Sequence, residues 1–227
     1  MALFKSALLT QASGSIGGMT LSHNTAGMYI RARTIPVNPN SAAQILIRAA
    51  FSGLVNRWTD TLSQVQRDTW ELYAANVPLI GPLGDPTFVS GQNQYIRSNT
   101  PRSMILATII DTAPAIFNTG ALGLVGVVSA IPATQDVTFS INNPDAWNVA
   151  NGHLIVQQSR PQNPSINFFN GPYRFMNSFE GPIVGNATGP AVFAFVAAQA
   201  LFFRVRASFP DARLTASQFI GPVIAAA

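Results

Sequence analysis

Two histidines, His23 and His153, and nine carboxylates are all this 227-residue chain offers as general acids, general bases or hard metal ligands, and it has no cysteine. A zinc or iron site would have to gather scattered ligands with no spacing motif to guide it, so no metal or cofactor is expected and both histidines read as structural. Asp68 and Glu71 are neighbours on a helix face, and solvation accounts for them better than paired acid–base work. The chain has no GxSxG elbow to raise a serine nucleophile. Gly14-Ser15-Ile16-Gly17-Gly18 has the glycine density of a phosphate loop but lacks the Lys-Ser/Thr ending and the helix that must follow. Without cysteine there is neither disulfide nor thiol chemistry. These absences point away from an enzyme.

The residues that could bind are arginines and aromatics. Twelve of the thirteen basic residues are Arg, the side chain suited to bidentate, weakly hydrated contacts. Arg31 and Arg33, beside Tyr29, are the first interaction candidates, followed by Arg48, Arg57 and Arg97. An aromatic loop over Asn167–Tyr173 offers Phe168, Phe169 and Tyr173 to a sugar or to a neighbouring subunit. A net charge of +4 with no Lys/Arg run is a weak footprint for nucleic acid.

The elements that carry these residues follow from periodicity. Met19, Leu21 and His23 alternate with Thr20 and Ser22. After Asn24-Thr25-Ala26-Gly27, Met28, Ile30 and Ala32 alternate with Tyr29, Arg31 and Arg33, which predicts a β-hairpin with an open edge. Pro36 and Pro39 force an extended corner, and Asn40 or Ser41 can cap a helix over Ala42–Trp58 with Ile47, Phe51, Leu54 and Trp58 as its buried stripe. Ser63 and Gln66 form a capping box for a second helix, Gln64–Ala75. In that helix Trp70, Tyr73 and Ala74 face inward and Arg67 and Glu71 pair outside. Ser90 caps a third, Gly91–Asn99, with Tyr95 and Ile96 inward.

Beyond Met104 helical periodicity stops. Short strands are predicted at Leu122–Ser129, Asp136–Ile141, His153–Gln158, Tyr173–Phe179, Ala191–Val196 and Leu201–Ala207, with breakers between them that include Gly185–Pro190. GPVIAAA reads as a last strand. The expectation is an α+β chain in three parts. An N-terminal arm and β-hairpin occupy residues 1–34 and a helical hairpin region 35–102. An antiparallel immunoglobulin-like or fibronectin-like β-sandwich occupies 103–227.

Only 10% of the residues are charged against 48% hydrophobic, far below the usual charged share of about 25%. A chain this poor in charge is expected to hide surface against other copies or partners. The opening MALFKSALLTQASGS has too short an apolar run, interrupted by Lys5, for a targeting segment, and reads as an extended arm. No run of about 18 uncharged apolar residues predicts a membrane span.

Taken together, Gly14-Ser15-Ile16-Gly17-Gly18, Arg31-x-Arg33, Pro36-x-Asn38-Pro39, Gln44, Arg48, Phe51, Trp58, Arg67-x-x-Trp70, Ser90-Gly91-x-Asn93 and Arg97-Ser98-Asn99 carry a resemblance. Over roughly residues 13–102 the chain resembles a family of structural proteins encoded by bacteriophages and prophage-like regions. The segment Ser217-Gln218-Phe219-Ile220-Gly221 resembles their C-terminal end more loosely. The resemblance implies a virion-associated role, capsid-associated or tail-associated or as a decoration protein. It implies partners that are other copies of this chain and other virion proteins, and synthesis in the cytoplasm of a bacterial host. It carries over no catalytic residue. A glycan- or surface-binding β-sandwich module is the alternative the residues leave open.

Overall fold

The computed structural model describes residues 2–3, 13–24, 27–35, 37–80, 85–141 and 144–226. The chain divides into two compact units, Met1–Ala42 and Ala43–Ala227.

The first unit is one antiparallel sheet. Its strands are β1 (Ala2–Leu3), β2 (Gly14–Ile16), β3 (Met19–Asn24) and β4 (Gly27–Ala32), in the spatial order β1-β4-β3-β2. The predicted hairpin is the β3–β4 pair, in register from Met19 opposite Ala32 to Asn24 opposite Gly27. Its turn residues Thr25 and Ala26, and residues 1 and 4–12 of the expected arm over 1–15, lie outside the described residues. The expectation of an open hairpin edge is corrected. Gly14–Ile16 folds back onto β3, and Ala2–Leu3 lies along β4. The outermost strands are therefore only two and three residues long, a common way of blunting edge-to-edge pairing.

The second unit opens with three helices, α1 (Ala42–Asp60), α2 (Gln64–Asn76) and α3 (Gly91–Met104). Strands β5 (Leu79–Ile80) and β6 (Pro86–Thr87) pair between α2 and α3. The capping box at α2 is present in both directions: the Ser63 amide donates to Gln66 Oε1 at 2.9 Å, and the Gln66 amide donates to Ser63 Oγ at 3.3 Å. Ser90 Oγ accepts from the Asn93 amide in the same way at the start of α3. Gly91 is required there because a Cβ would lie 2.6 Å from the Glu71 amide nitrogen, so α3 begins directly against α2.

Leu54, Trp58, Leu62, Trp70, Tyr73, Tyr95 and Ile96 form the core of the helical part. Trp70 packs edge-on to Tyr73 and Tyr95, with centroids 5.8 and 5.4 Å apart. Such arrangements place ring edges against ring faces.

Two helical expectations are corrected. The α1 stripe is buried only at Leu54 and Trp58, while Ile47 and Phe51 remain 47% and 51% exposed. Only the C-terminal half of α1 reaches the helical core, through Leu54, Val55 and Trp58, and its N-terminal half contributes no residue to that cluster. Arg67 and Glu71 do not pair with each other. Arg67 donates to the Thr59 and Leu62 carbonyls, and Glu71 accepts the Gly91 amide at 2.8 Å.

The remaining strands are β7 (Gly126–Ile131), β8 (Asp136–Ser140), β9 (His153–Ser159), β10 (Tyr173–Glu180), β11 (Asn186–Pro190), β12 (Ala200–Ser208) and β13 (Gln218–Ile224). They form two antiparallel sheets, ordered β10-β9-β12-β13 and β11-β8-β7. One apolar core takes residues from both, including Ala130, Val137 and Phe139 from one sheet and Leu154, Val156, Phe203 and Val205 from the other. The chain is thus α+β.

The strand expected at Ala191–Val196 is corrected to β11, which lies within the segment expected to be a breaker. Residues 191–196 are irregular because side chains take their backbone groups. Gln158 Oε1 accepts the Val192 amide at 2.8 Å, and Gln135 both accepts the Phe195 amide and donates to its carbonyl at 2.9 Å. Pro190 is tolerated at the end of β11 because that strand lies at a sheet edge.

Arg102 joins the helices to the sheets. It is fully buried, and donates to the carbonyls of Thr108, Asn151 and Phe209 and to Ser208 Oγ. Burial lowers its pKa, with Asp211 and Glu180 acting in the opposite sense.

Candidate functional site

Strand β12 positions the site. Leu201, Phe203, Val205 and Ala207 point into the core, so the pleat sends Phe202, Arg204 and Arg206 to the other face of the four-stranded sheet. Register puts Arg204 opposite Gln157 of β9 and Phe219 of β13, and Gln157 opposite Phe175 of β10. This outer face holds two hollows with Arg204 between them.

The first hollow is aromatic, about 160 Å³, with Phe168, Phe169, Tyr173, Phe202 and Phe219 on its walls. Phe169 stacks on Phe202 at 5.7 Å and meets Tyr173 edge-on at 5.5 Å. Tyr173 donates its hydroxyl hydrogen to the Phe169 carbonyl at 2.8 Å, which fixes the loop on the sheet. Phe168 stays outside the packing, 78% exposed. The Arg204 guanidinium lies 5.4 Å above the Tyr173 ring, while its Nε donates to Gln157 Oε1 at 2.6 Å.

The second hollow, about 150 Å³, lies where α3 crosses the same sheet, between Arg97, Thr100, Pro101 and Met104 on one side and Ile155, Gln157, Phe175 and Arg206 on the other. Burial, followed by the nearby Arg204 and Arg97 charges, lowers the Arg206 pKa to about 10. The group therefore remains a cation at neutral pH. Burial lowers Arg97 as well.

The other sequence candidates fall elsewhere. Tyr29 and Arg31 lie on β4, and Arg33 follows it with its amide donating to the Gly18 carbonyl at 2.8 Å. Arg31 and Arg33 are exposed, as is Arg48 on α1. Arg57 is engaged within the chain, in an ion pair with Asp111 at 2.7 Å. The structure thus brings Phe168, Phe169 and Tyr173 into one hollow and Arg97 into the other. Sequence reasoning missed Phe202, Arg204, Arg206 and Phe219. The alternation of Arg204 and Arg206 with Phe203, Val205 and Ala207 was the available signal, but nothing local tied it to the 168–173 loop or to α3.

His153 is buried, and its pKa is lowered by that burial and by the Arg102 charge. Among the described residues no group of three His, Cys, Asp or Glu side chains could hold a metal ion, and no helix is long and apolar enough to cross a membrane. Comparison of the sequence with protein-family models and with curated proteins finds no match.

Proposed function

We propose that this chain is a structural component of a bacteriophage particle, capsid-associated or tail-associated, that assembles in many copies through its N-terminal unit and its low-charge surfaces. The observation that carries this reading is the first half of α1. Ile45, Leu46, Ile47 and Phe51 are each about half exposed, on a chain with only 10% charged residues. Apolar side chains clustered in this way mark contact surfaces. The family resemblance over residues 13–102 supports the virion assignment.

Within this reading the β-rich part is an immunoglobulin-like or, more closely, a fibronectin-like sandwich. The immunoglobulin constant arrangement places the fourth strand beside the fifth, whereas here the fourth of the seven strands, β10, runs beside the third, β9. Light scattering and negative-stain microscopy of the full chain test the proposal. Closed rings, tubes or large regular oligomers are expected, reduced to monomers by Leu46→Glu with Phe51→Glu. A monomer at every concentration would sink self-assembly.

The aromatic hollow favours a second reading, a glycan- or surface-binding module gripping sugar faces with Phe168, Phe169 and Tyr173. A glycan array on which the wild type binds and Phe169→Ala does not would establish it.

A further inference from the structure

We propose that the cleft between α3 and the outer face of the four-stranded sheet is a binding site for a small oxyanion, a phosphate or carboxylate group, with Arg206 and Arg97 as its cationic ligands. The inference goes beyond the assembly reading and does not depend on it.

The cations of this cleft lack compensation. Among the described residues the ion pairs are Arg57–Asp111 and Arg213–Asp211, so neither Arg97 nor Arg206 has a carboxylate partner. Arg206 Nε is buried and lacks any hydrogen-bond partner among the described residues. Two cations share one cleft, and Arg204, on the same sheet face two residues from Arg206, adds to their repulsion. Both arginines are half-buried, and a cation that gives up part of its hydration without gaining a counter-charge is destabilising; the buried Nε donor without an acceptor adds to that cost.

The walls suit an anion. Pro101, Met104, Ile155 and Phe175 keep the site low in dielectric, where attraction between opposite charges is strongest. Thr100 and Gln157 supply neutral polar groups alongside. The guanidinium fork matches the oxygen spacing of carboxylate and phosphate. An oxyanion would supply both the acceptor and the charge that the protein omits.

The test uses the full chain at matched ionic strength in chloride, inorganic phosphate and acetate. Phosphate stabilises proteins in general by exclusion from their surfaces, so the readout is the difference between wild type and Arg206→Gln or Arg97→Gln. At ten times Kd the anion should raise the wild-type Tm by roughly 3–6 °C more than it raises the Tm of Arg206→Gln or Arg97→Gln. Calorimetric titration of the wild type should give one site. Without the anion, Arg206→Gln should melt no lower than wild type, because it removes an uncompensated cation. The anion whose shift is lost on substitution, phosphate or acetate, identifies the group recognised. Equal shifts in wild type, Arg206→Gln and Arg97→Gln for both anions, with no titration heat, would overturn the proposal.

Discussion

Arg57 and Asp111 are 54 positions apart in sequence and meet through two parallel hydrogen bonds, Nε to Oδ1 and Nη2 to Oδ2, each 2.7 Å. The carboxylate raises the Arg57 pKa through these bonds, against the effect of burial. Asp111 also lies 3.5 Å from the Tyr95 hydroxyl, and its carbonyl accepts Trp70 Nε1–H at 2.8 Å. The segment after α3 is thereby fastened to all three helices, helped by Asn99, which exchanges two hydrogen bonds with the Ile110 backbone.

Asp111→Ala should therefore loosen the helical part. The Arg57 side chain is 40% exposed, so solvent screening limits the loss to about 1–2 kcal/mol in urea unfolding. A double-mutant cycle with Arg57→Ala should show coupling of roughly 0.5–1 kcal/mol. Additive losses would mean that the pair contributes nothing of its own.

Arg102→Ala should cost more, roughly 2–4 kcal/mol, because it empties a fully buried site and strands the Thr108 and Phe209 carbonyls. A loss below about 0.5 kcal/mol, the scale of an ordinary surface change, would show that the helix–sheet junction does not rely on this side chain.

Gly152→Ala is expected to be among the most damaging small substitutions. The added Cβ would sit 1.7 Å from the Trp147 carbonyl oxygen, where backbone must move. A drop of several kcal/mol, or failure to fold, is expected against the ~1 kcal/mol typical of point changes. Gly185→Ala is the control for a change at a glycine with nothing within 4 Å, where only its positive φ resists.

Alkaline pH should destabilise the helical part. Burial, then the Asp111 charge, raises the Tyr95 pKa above its ordinary value of 10.0, and burial likewise raises Tyr73. Above about pH 10 the unfolded chain releases these protons while the native state retains them, so unfolding becomes easier as pH rises. Urea midpoints should stay level below that pH and fall above it. Tyr95→Phe should flatten the fall, and an unchanged slope after that substitution would assign the effect to other groups.

By itself the sequence determined what depends on a few neighbouring residues. The Ser63–Gln66 and Ser90–Asn93 caps, the inward Trp70, Tyr73 and Tyr95, and the β3–β4 alternation all follow from local hydrogen bonding and from the helix and strand periods of about 3.6 and 2. Tertiary structure decided where each face or backbone group finds its partner. The apolar stripe of α1 is continuous from Ile47 to Trp58, but only the half reached by its neighbours is buried. Residues 191–196 have strand composition, yet Gln135 and Gln158, distant in sequence, claim their amides and leave the ladder to 186–190. Arg97 and Arg206 carry no local sign of association, and only the crossing of α3 over β12 places both cations in one cleft. Such pairings depend on long-range geometry, which periodicity and capping do not encode.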